Sequence, residues 1–322
     1  MITITRFKET DYKKWEVFIR ESNNGTLFHL RKFLGYHPKN RFVDHSLMVY
    51  KKEKLISVFP ASIVIDNNKK FLISHPGSSM GSFVLPVNLS IADGINISKV
   101  FVNYARSQNF DGIRITLPPS LYQRRISNYM DFSFFRQGFT YMKRDISSIL
   151  FLEDNIENNI KKFRPSHFRA VQKAKNFGVI VRESEDYSTF YNILVKNLSI
   201  RHNVSPTHTL KELLDIKNRF PKDIKLFAAY LDNEMLAGAI NFILNKHVVL
   251  AFYICHNEKY QKYRSLNLLF YFIFNWAINK GLKIYDFGTF TVDGEPNMGL
   301  GRFKENFGAS GIFRDTLQLN LN

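Results

Sequence analysis

Cysteine is almost absent from the 322 residues of this sequence, where Cys255 is the only one. One thiol excludes an intrachain disulfide framework and a zinc site built from several cysteines, and it fits a reducing compartment. The histidines lack the His-Glu-x-x-His spacing or a comparable ligand pattern, so we predict no metal site. The sequence also lacks the Gly-x-Ser-x-Gly turn of a serine nucleophile, and Cys255 has no evident histidine partner.

Long hydrophobic runs are missing too. The longest, LNLLFYFIFNWAI from Leu266, is about half to two-thirds of the ~20 residues that a membrane span requires, and Asn267 and Asn275 interrupt it. We predict a buried helix there. The first residues, MITITRFKETDYKKWE, reach charged side chains before any apolar run, unlike a signal peptide. We therefore expect a cytoplasmic protein without stable membrane insertion.

Acidic residues are scarce relative to basic ones: 28 aspartates and glutamates face 45 lysines and arginines, a formal charge of +17. This excess favours a polyanionic partner, such as a nucleotide, a coenzyme, tRNA or an anionic membrane surface. The abundance of lysine, asparagine, isoleucine and phenylalanine also fits proteins from AT-rich genomes, which is a second explanation. The charge alone therefore identifies no partner.

The first half of the sequence predicts alternating strands and helices. A strand at Ile2 to Thr5 precedes an amphipathic helix around Trp15. The runs SLMVYK, LISVFPASIVI and KFLIS, with turn residues between them, predict an antiparallel meander. The loop HPGSSMGSF, a helix from about Ile91 to Gln108 and the strand FDGIRITLP complete this half.

The segment NIENNIKKFRPSHFRAVQKAKNFG is helical and basic, and we place the domain boundary there. A break at Pro165, an N-cap at Ser166 and a stop at Gly178 are expected.

The second half predicts a helix, a further helix with the capping box Thr209 to Glu212, and two hairpins from KLFAAYL, MLAGAINFIL and HVVLAFYI. Ser265 is expected to cap the apolar helix, which Gly281 ends before the strand LKIYDFG.

The two halves repeat one order of elements. Asn103-Tyr104-Ala105 precedes FDGIRIT in the same relation as Asn275-Trp276-Ala277 precedes LKIYDFG. We therefore predict an internal duplication, with one domain over residues 1–154 and a second, including the basic linking helix, over residues 155–322. The expected fold class is α/β (α+β), with two mostly antiparallel mixed sheets, each flanked by helices.

Two segments carry a resemblance to a known family: YDFGTFTVDGEPNMGLGRFKENFG, from Tyr285 to Gly308, and FRAVQKAKNFG, from Phe168 to Gly178. Together with the order of elements they resemble the Fem-type transferases, which have two GNAT acyltransferase domains in tandem and acylate amino groups on cell-envelope precursors. In that family a Phe-Gly strand end, a loop and a Phe-Lys-x-x-Phe element follow one another. The resemblance covers nearly the whole chain. It implies acyl-CoA or aminoacyl-tRNA as cosubstrate, with no tightly bound cofactor.

The sequence departs from the family pattern in two respects, which concern the kind of Fem-type protein that it resembles and the binding of the donor. No sustained charged heptad occurs, so the chain resembles the short members that lack a coiled-coil arm. The loop that cradles pyrophosphate in GNAT domains has the pattern Q/R-x-x-G-x-G/A, whereas this sequence has Gln261-Lys262-Tyr263-Arg264-Ser265-Leu266. Glycine lets backbone N–H groups approach phosphate closely, so Gln261, Arg264 and Ser265 would hold a donor further out.

Transfer of an acyl group to an amine requires a deprotonated amine and a stabilised carbonyl oxygen. Asp286, at a strand end, and Glu295, in the following loop, are candidates to orient or deprotonate the amine. A structural aspartate bonded to nearby N–H groups is the alternative for Asp286. Tyr253 and His256 end the third strand of the second meander, where GNAT enzymes gather catalytic groups around a strand splay. Core packing is the alternative for Tyr253.

Basic residues in two segments are candidates for phosphate binding. Arg302 and Lys304 lie in GLGRFKENFG, where glycines permit close approach to an anion, and Arg169 and Lys173 lie one helical turn apart. A solvated basic surface is the alternative for both pairs.

In the first half, Arg31 and Lys32 are candidates for binding the acceptor. The loop from Gly77 to Gly81 could hold an anion at a helix N-terminus, but its spacing matches no phosphate loop, and a plain turn is the alternative.

The sequence leaves three functions open. The first is acyl transfer from acyl-CoA, or a similar donor, to an amino group of an envelope or polysaccharide precursor. The second is an aminoacyl-tRNA-dependent ligase of peptidoglycan stem peptides, which the basicity favours. The third is a non-catalytic module that binds nucleic acid or a membrane surface. The expected partner is a phosphate-bearing small molecule, with tRNA as the alternative. The oligomeric state is not predicted.

Overall fold

A computed structural model describes residues 1–38, 40–202 and 204–321. The chain forms two compact units. Unit 1 contains Met1–Asp145 and Phe313–Asn322, and unit 2 contains Ile146–Ile312.

The elements up to residue 151 follow the predicted alternation. Their bounds are β1 Ile2–Arg6, α1 Tyr12–Glu21, α2 Arg31–Leu34, β2 Val43–Asp44, β3 Leu47–Lys51, β4 Lys54–Phe59, β5 Ala61–Asp66, β6 Lys69–Ser74, α3 Ile91–Ser107, β7 Gly112–Thr116, α4 Tyr129–Arg136 and β8 Thr140–Phe151. Strands β1, β3 and β4 form one antiparallel sheet, and a second sheet has the order β2-β5-β6-β7-β16.

The predicted first meander is wrong in one respect, because LISVFPASIVI is two strands that lie in different sheets. Strand β4 ends at Phe59 and pairs with β3, whereas β5 begins at Ala61 and pairs with β2 and β6. Pro60 separates them. Proline has no N–H to donate to a ladder, so the chain leaves the first sheet there and starts a new pairing.

The remaining elements contain the predicted second meander and the apolar helix. Their bounds are α5 Ile156–Ile160, α6 Pro165–Asn176, β9 Ile180–Ser184, α7 Tyr187–His202, α8 Leu210–Arg219, β10 Ile224–Leu231, β11 Glu234–Ile243, β12 Val248–His256, α9 Ser265–Asn279, β13 Ile284–Thr289, β14 Thr291–Val292, β15 Glu295–Pro296, α10 Met298–Glu305 and β16 Ser310–Asn320. The strands of unit 2 have the order β8-β13-β12-β11-β10-β9, in which β12 and β13 pair in parallel and the other neighbours pair antiparallel.

Two predicted helix caps are wrong. Helix α6 has Arg164, rather than Ser166, at its N-cap, and Pro165 is its first helical residue, where the missing N–H costs nothing. Helix α9 has Arg264 at its N-cap, in a left-handed conformation, and Ser265 is its first helical residue. The capping box of Thr209 and Glu212 is confirmed at the start of α8.

Both units contain the same strand–helix–strand core. Strand β6, helix α3 and β7 form it in unit 1, and β12, α9 and β13 form it in unit 2; in each, three residue pairs join the parallel strands. Each core buries aromatic rings from its helix, such as Phe101 in α3 and Phe274 in α9. This common order confirms the predicted fold class of mixed, mostly antiparallel sheets flanked by helices.

The bounds of the two units differ from the predicted 1–154 and 155–322 because the last strand of each half is exchanged. Strand β16 follows α10 of unit 2, yet Thr316–Asn320 pairs with Gly112–Thr116 of β7 in unit 1. Strand β8 follows α4 of unit 1, yet its end pairs with β13 in unit 2. Each unit thus completes its sheet with a strand from the other half of the sequence.

Candidate active site

The parallel pair of strands in unit 2 ends early. Strand β12 pairs with β13 from Val248 to Leu250, opposite Ile284 to Asp286, although β12 continues to His256. A register shift against β11 places Ile240 opposite Tyr253 and Asn241 opposite Ala251, so one residue of β12 is extra there. Such a bulge re-aims the side chains that follow it. The predicted position of Tyr253 and His256 at a strand splay agrees with this geometry.

Tyr253 is held by a histidine that the sequence did not single out. Its hydroxyl lies 2.9 Å from Nδ1 of His208, and the hydroxyl of Tyr191 donates to the backbone carbonyl of His208 at 3.1 Å. Burial raises the pKa of Tyr253 above its usual value of 10, more than its hydrogen bonds lower it. The hydroxyl therefore stays protonated at neutral pH. His208 lies in a loop between two helices, and no spacing in the sequence relates it to Tyr253.

His256 belongs to a second polar group next to this strand end. Its Nε2 lies 3.4 Å from Oε2 of Glu258, and its backbone N–H donates to Oδ1 of Asn197 at 3.2 Å. The amide of Asn197 also donates to Oε1 of Glu258 at 3.3 Å. These contacts fix the imidazole of His256, which is mostly buried.

A basic cleft lies where α6 packs beside the start of α9. Arg169, Lys173 and Arg264 line a cavity of about 340 Å³ together with Ser166, His167, Ala170 and Asn267. None of the three basic side chains forms an ion pair with a residue that the structure describes. An unpaired cluster of this kind beside a helix N-terminus favours an anionic ligand, since both the charges and the helix dipole attract it.

The cleft continues along α6. A neighbouring cavity of about 370 Å³ is lined by Phe168, Arg169, Gln172, Lys173, Asn176 and Phe177. Phe168 and Phe177 are both exposed, and Nζ of Lys173 lies 5.7 Å from the centre of the Phe177 ring. A flat aromatic face beside cations suits an adenine ring attached to phosphates.

His167 lines the same cleft, and its imidazole is uncharged at neutral pH. Burial first, and then the charges of Arg264 and Arg164, lower its pKa from 6.5 to about 4. Three of the predicted phosphate-binding residues therefore meet around this imidazole: Arg169 and Lys173 of α6, and Arg264, which lies 91 positions after Lys173 in the sequence. Of the other two loop candidates, Gln261 is exposed in a short 3-10 helix, Glu258–Tyr263, and Ser265 is buried.

The structure does not fit the phosphate contact predicted for Lys304. This side chain is 1% exposed, and Nζ donates to the backbone carbonyls of Gly288 at 2.8 Å and Thr289 at 3.0 Å. The ammonium thus ties α10 to the end of β13. Helix α10 is amphipathic and directs this position inwards, whereas Arg302, two residues earlier, is exposed.

Asp286 has the structural role that was predicted as its alternative. The carboxylate is fully buried, and its Oδ1 accepts hydrogen bonds from the Ser147 hydroxyl and the Gly288 N–H, both at 2.6 Å. It holds β13 against β8 rather than facing a ligand. Glu295 lies exposed in the β14–β15 hairpin.

The two basic candidates of unit 1 make contacts within that unit. Arg31 is paired with Asp44 at 3.0 Å, and its guanidinium lies 4.2 Å from the centre of the Phe7 ring, which indicates a structural role. Lys32 is exposed, and its backbone N–H donates to Glu16 at 3.3 Å. The Gly77–Gly81 loop does not lead directly into a helix, because α3 begins only at Ile91.

The described residues offer neither a metal site nor a membrane span. Among residues 1–38, 40–202 and 204–321, no group of three or more potential ligands could hold a metal ion. Over the same ranges, no helix has the length and hydropathy needed to cross a bilayer.

Comparisons with known proteins agree with this geometry. Residues 161–305 match the family model described as an acetyltransferase (GNAT) domain. No curated protein matches the chain in sequence. The matched region includes α6, the basic cleft, β12, α9 and β13.

Several solved structures share the fold of the whole chain. FemX superposes with a TM-score of 0.77 at 14% identity, over 99% of this chain and 98% of FemX. L-PGS from Bacillus licheniformis gives 0.60 at 11% identity, over 98% and 93%. A tandem GNAT protein from the clavulanic acid biosynthesis pathway gives 0.56 at 8% identity, over 100% and 99%. Such low identities show the fold alone. With the family model, they confirm the predicted resemblance to Fem-type, tandem GNAT proteins and the acyltransferase class.

Proposed function

We propose that this protein transfers an acyl group from acyl-CoA to an amino group of a cell-envelope precursor. The premise is that residues 161–305 match a GNAT acetyltransferase domain and that the chain shares the fold of FemX. The observation that supports acyl-CoA as the donor is the basic cleft of unit 2. Acyl-CoA bears a pyrophosphate and a further phosphate beside adenine, and the cleft offers three unpaired cations next to exposed aromatic rings.

The missing glycines of the pyrophosphate loop are offset in this proposal by side chains. Arg264 takes the left-handed conformation, φ 55° and ψ 31°, which residues other than glycine adopt at a cost. It turns the chain into α9 while its guanidinium lines the cleft. Arginine binds phosphate oxygens with two parallel N–H donors. The guanidinium of Arg264 can therefore bind a phosphate in place of backbone N–H groups, at a greater distance from the main chain.

The transfer itself needs one proton donor and no covalent intermediate. The amine nitrogen attacks the thioester carbonyl carbon, a C–N bond forms, and the C–S bond breaks as coenzyme A leaves as a thiolate. Tyr253 is protonated at neutral pH and held by His208 at the end of β12, so it can give its proton to the departing sulfur. The amine proton passes to solvent or to a base.

The acceptor is inferred from the fold that the chain shares with other proteins. The shared fold with FemX and with L-PGS from Bacillus licheniformis supports an amino acceptor in the cell envelope. The GNAT domain supports acyl-CoA over aminoacyl-tRNA as the cosubstrate. The strong positive charge is accounted for in part by the donor cleft.

Calorimetric titration with coenzyme A tests the donor site. We expect wild-type protein to bind, and Arg169→Ala, Lys173→Ala and Arg264→Ala each to weaken binding about tenfold, because each removes a charge-assisted hydrogen bond. Lys175→Ala is the matched control, since Lys175 lies on the same helix with its ammonium 4.5 Å from the Tyr271 ring and outside the cleft lining.

The same proteins separate the alternatives. Binding of coenzyme A that is equal in wild type and all three variants would remove the cleft from the proposal. Activity that requires aminoacyl-tRNA and is destroyed by ribonuclease would replace acyl-CoA as the donor. Consumption of an acyl-CoA in the presence of an amino sugar or a stem-peptide amine, followed by thiol release, would identify the acceptor class.

A further inference from the structure

Helix α4 of unit 1 turns aromatic side chains outwards. Met130, Ser133 and Phe134 face the core, while Tyr129, Phe132 and Phe135 are exposed by 42%, 51% and 41%. A helix on a protein surface normally directs polar side chains to water. Three half-exposed rings on one short helix therefore form an apolar patch, which usually marks an interaction site.

The patch continues from α4 onto the neighbouring strands. The ring of Phe135 lies 5.3 Å from that of Tyr141, centre to centre. The guanidinium of Arg144 lies 4.2 Å from the Tyr141 ring and 3.7 Å from that of Phe313. We name these five exposed rings the aromatic surface: Tyr129, Phe132, Phe135, Tyr141 and Phe313.

Basic side chains border the aromatic surface. Arg136 lies 5.9 Å from the centre of the Phe132 ring, and Arg125 lines a cleft of about 260 Å³ beside Ile126 and Tyr129. Neither arginine forms an ion pair with a residue that the structure describes. Ile126 is itself 61% exposed, so apolar and cationic groups alternate along this edge.

Acidic groups at this place do not cancel the positive charge. Asp131 on α4 is largely enclosed, and its burial, reinforced by the charge of Asp315, raises its pKa to about 6. Asp315 in turn is paired with Arg144, at 2.9 Å. The outer side of the surface therefore presents Arg125 and Arg136 without a facing carboxylate among these groups.

We propose that the aromatic surface and its flanking arginines dock unit 1 onto an anionic lipid bilayer. Half-exposed aromatic rings settle at the boundary between headgroups and acyl chains, where their apolar faces leave water. Guanidinium groups beside them reach the phosphates of anionic lipids, each adding to the attraction. A protein partner would instead be expected to need a larger and less charged apolar core. The docking is independent of the acyl-transfer chemistry.

Flotation with vesicles tests the proposal. We expect the protein to float with vesicles of phosphatidylcholine containing one quarter phosphatidylglycerol, and much less with phosphatidylcholine alone. Phe132→Ser with Phe135→Ser should lower the partition coefficient about tenfold or more, because two rings no longer leave water. Arg125→Gln with Arg136→Gln should lower it several-fold at low salt and less at high salt.

Matched controls lie on other surfaces of unit 1. Ile65→Ser removes a more exposed apolar side chain from β5, and Arg106→Gln removes an exposed charge from α3. Both should float like wild type.

A Phe132→Trp variant gives a second readout that does not depend on the fold surviving the serine changes, since its fluorescence should shift to the blue on anionic vesicles. Wild-type protein that stays unbound, or serine and glutamine variants that bind like the controls, would overturn the proposal. So would a wild-type dimer that Phe132→Ser with Phe135→Ser dissociates while vesicles bind neither.

Discussion

At the scale of single residues, Lys304 is the clearest case of a charge used for structure. Its ammonium lies in the interior and is satisfied by the carbonyls of Gly288 and Thr289, where β13 ends. We expect Lys304→Ala to lower the free energy of unfolding by roughly 2–3 kcal/mol, because two carbonyls lose a charged donor and a cavity forms. Urea denaturation measures this. Arg302→Ala, on the exposed side of the same helix, should change it by less than about 0.5 kcal/mol. A folded, equally stable Lys304→Ala protein with weakened coenzyme A binding would restore the phosphate role.

Tyr253 is the residue on which the proposed chemistry depends. Tyr253→Phe removes the hydroxyl and keeps the ring, so we expect kcat to fall about a hundredfold while the KM for the acyl donor stays nearly constant. Steady-state kinetics over a range of donor concentrations separates the two. Tyr271→Phe, whose ring lies 4.5 Å from the ammonium of Lys175, is the control and should be neutral. If Tyr253→Phe keeps its kcat, another group protonates the leaving sulfur.

The site could be predicted only where function leaves a local pattern. Arg169 and Lys173 are one helical turn apart and Arg264 precedes the apolar helix, so all three are visible in the sequence. His208 is not, because its contact with Tyr253 joins positions 45 residues apart through a loop. The position of Lys304 also misled the prediction. Flanking glycines suggest that an anion can approach. Which side of a short helix faces the core, however, depends on tertiary packing, and the local sequence does not show it.

At the scale of elements, the exchanged strand β16 couples the end of the chain to unit 1. Leu317 is fully buried in the core of that unit, next to Ile113 and Ile115 of β7. We expect Leu317→Ala to destabilise unit 1 by roughly 2–5 kcal/mol, as for other large-to-small changes in a core. Hydrogen exchange should show the loss in β7 and α3. Asn320→Ala, exposed on the same strand, serves as the control. Unchanged protection in unit 1 would contradict the pairing.

Most elements were predictable because their hydrophobic period is local. The helix from Ile91 ends at Ser107, within one residue of the prediction, and the three strands of the second meander are confirmed. The exchange of β8 and β16 was not predictable, since a strand's pattern shows that it pairs but not with which partner. The same limit applies at Pro60: the run LISVFPASIVI was predicted as part of one meander, and its pattern does not show that the chain moves to another sheet there.

At the scale of the whole molecule, several buried or partly buried histidines are neutral in the folded state. The pKa values of His29, His45, His75 and His167 are each lowered from 6.5 to about 4, in every case chiefly by burial. His29 shows the reason most directly. Its Nε2–H donates to the carbonyl of Gly81 at 2.9 Å, so Nδ1 is the acceptor for the N–H of Thr26 at 3.1 Å. A proton on Nδ1 would end that bond in a site without water contact.

We therefore expect acid to destabilise the protein before its carboxylates are titrated. A folded-state pKa below that of the unfolded chain means that the stabilisation is fully present above about pH 6.5 and is lost as the pH falls towards 4. Fully buried His29 alone should contribute roughly 3 kcal/mol. Asp131, with its pKa raised to about 6, and Glu16, whose pKa burial also raises, act in the opposite direction, but as two groups against four. Urea denaturation at a series of pH values measures the slope. His29→Gln should start less stable near neutral pH and lose less on acidification. A free energy of unfolding that stays level across this window would contradict the neutral, buried imidazoles.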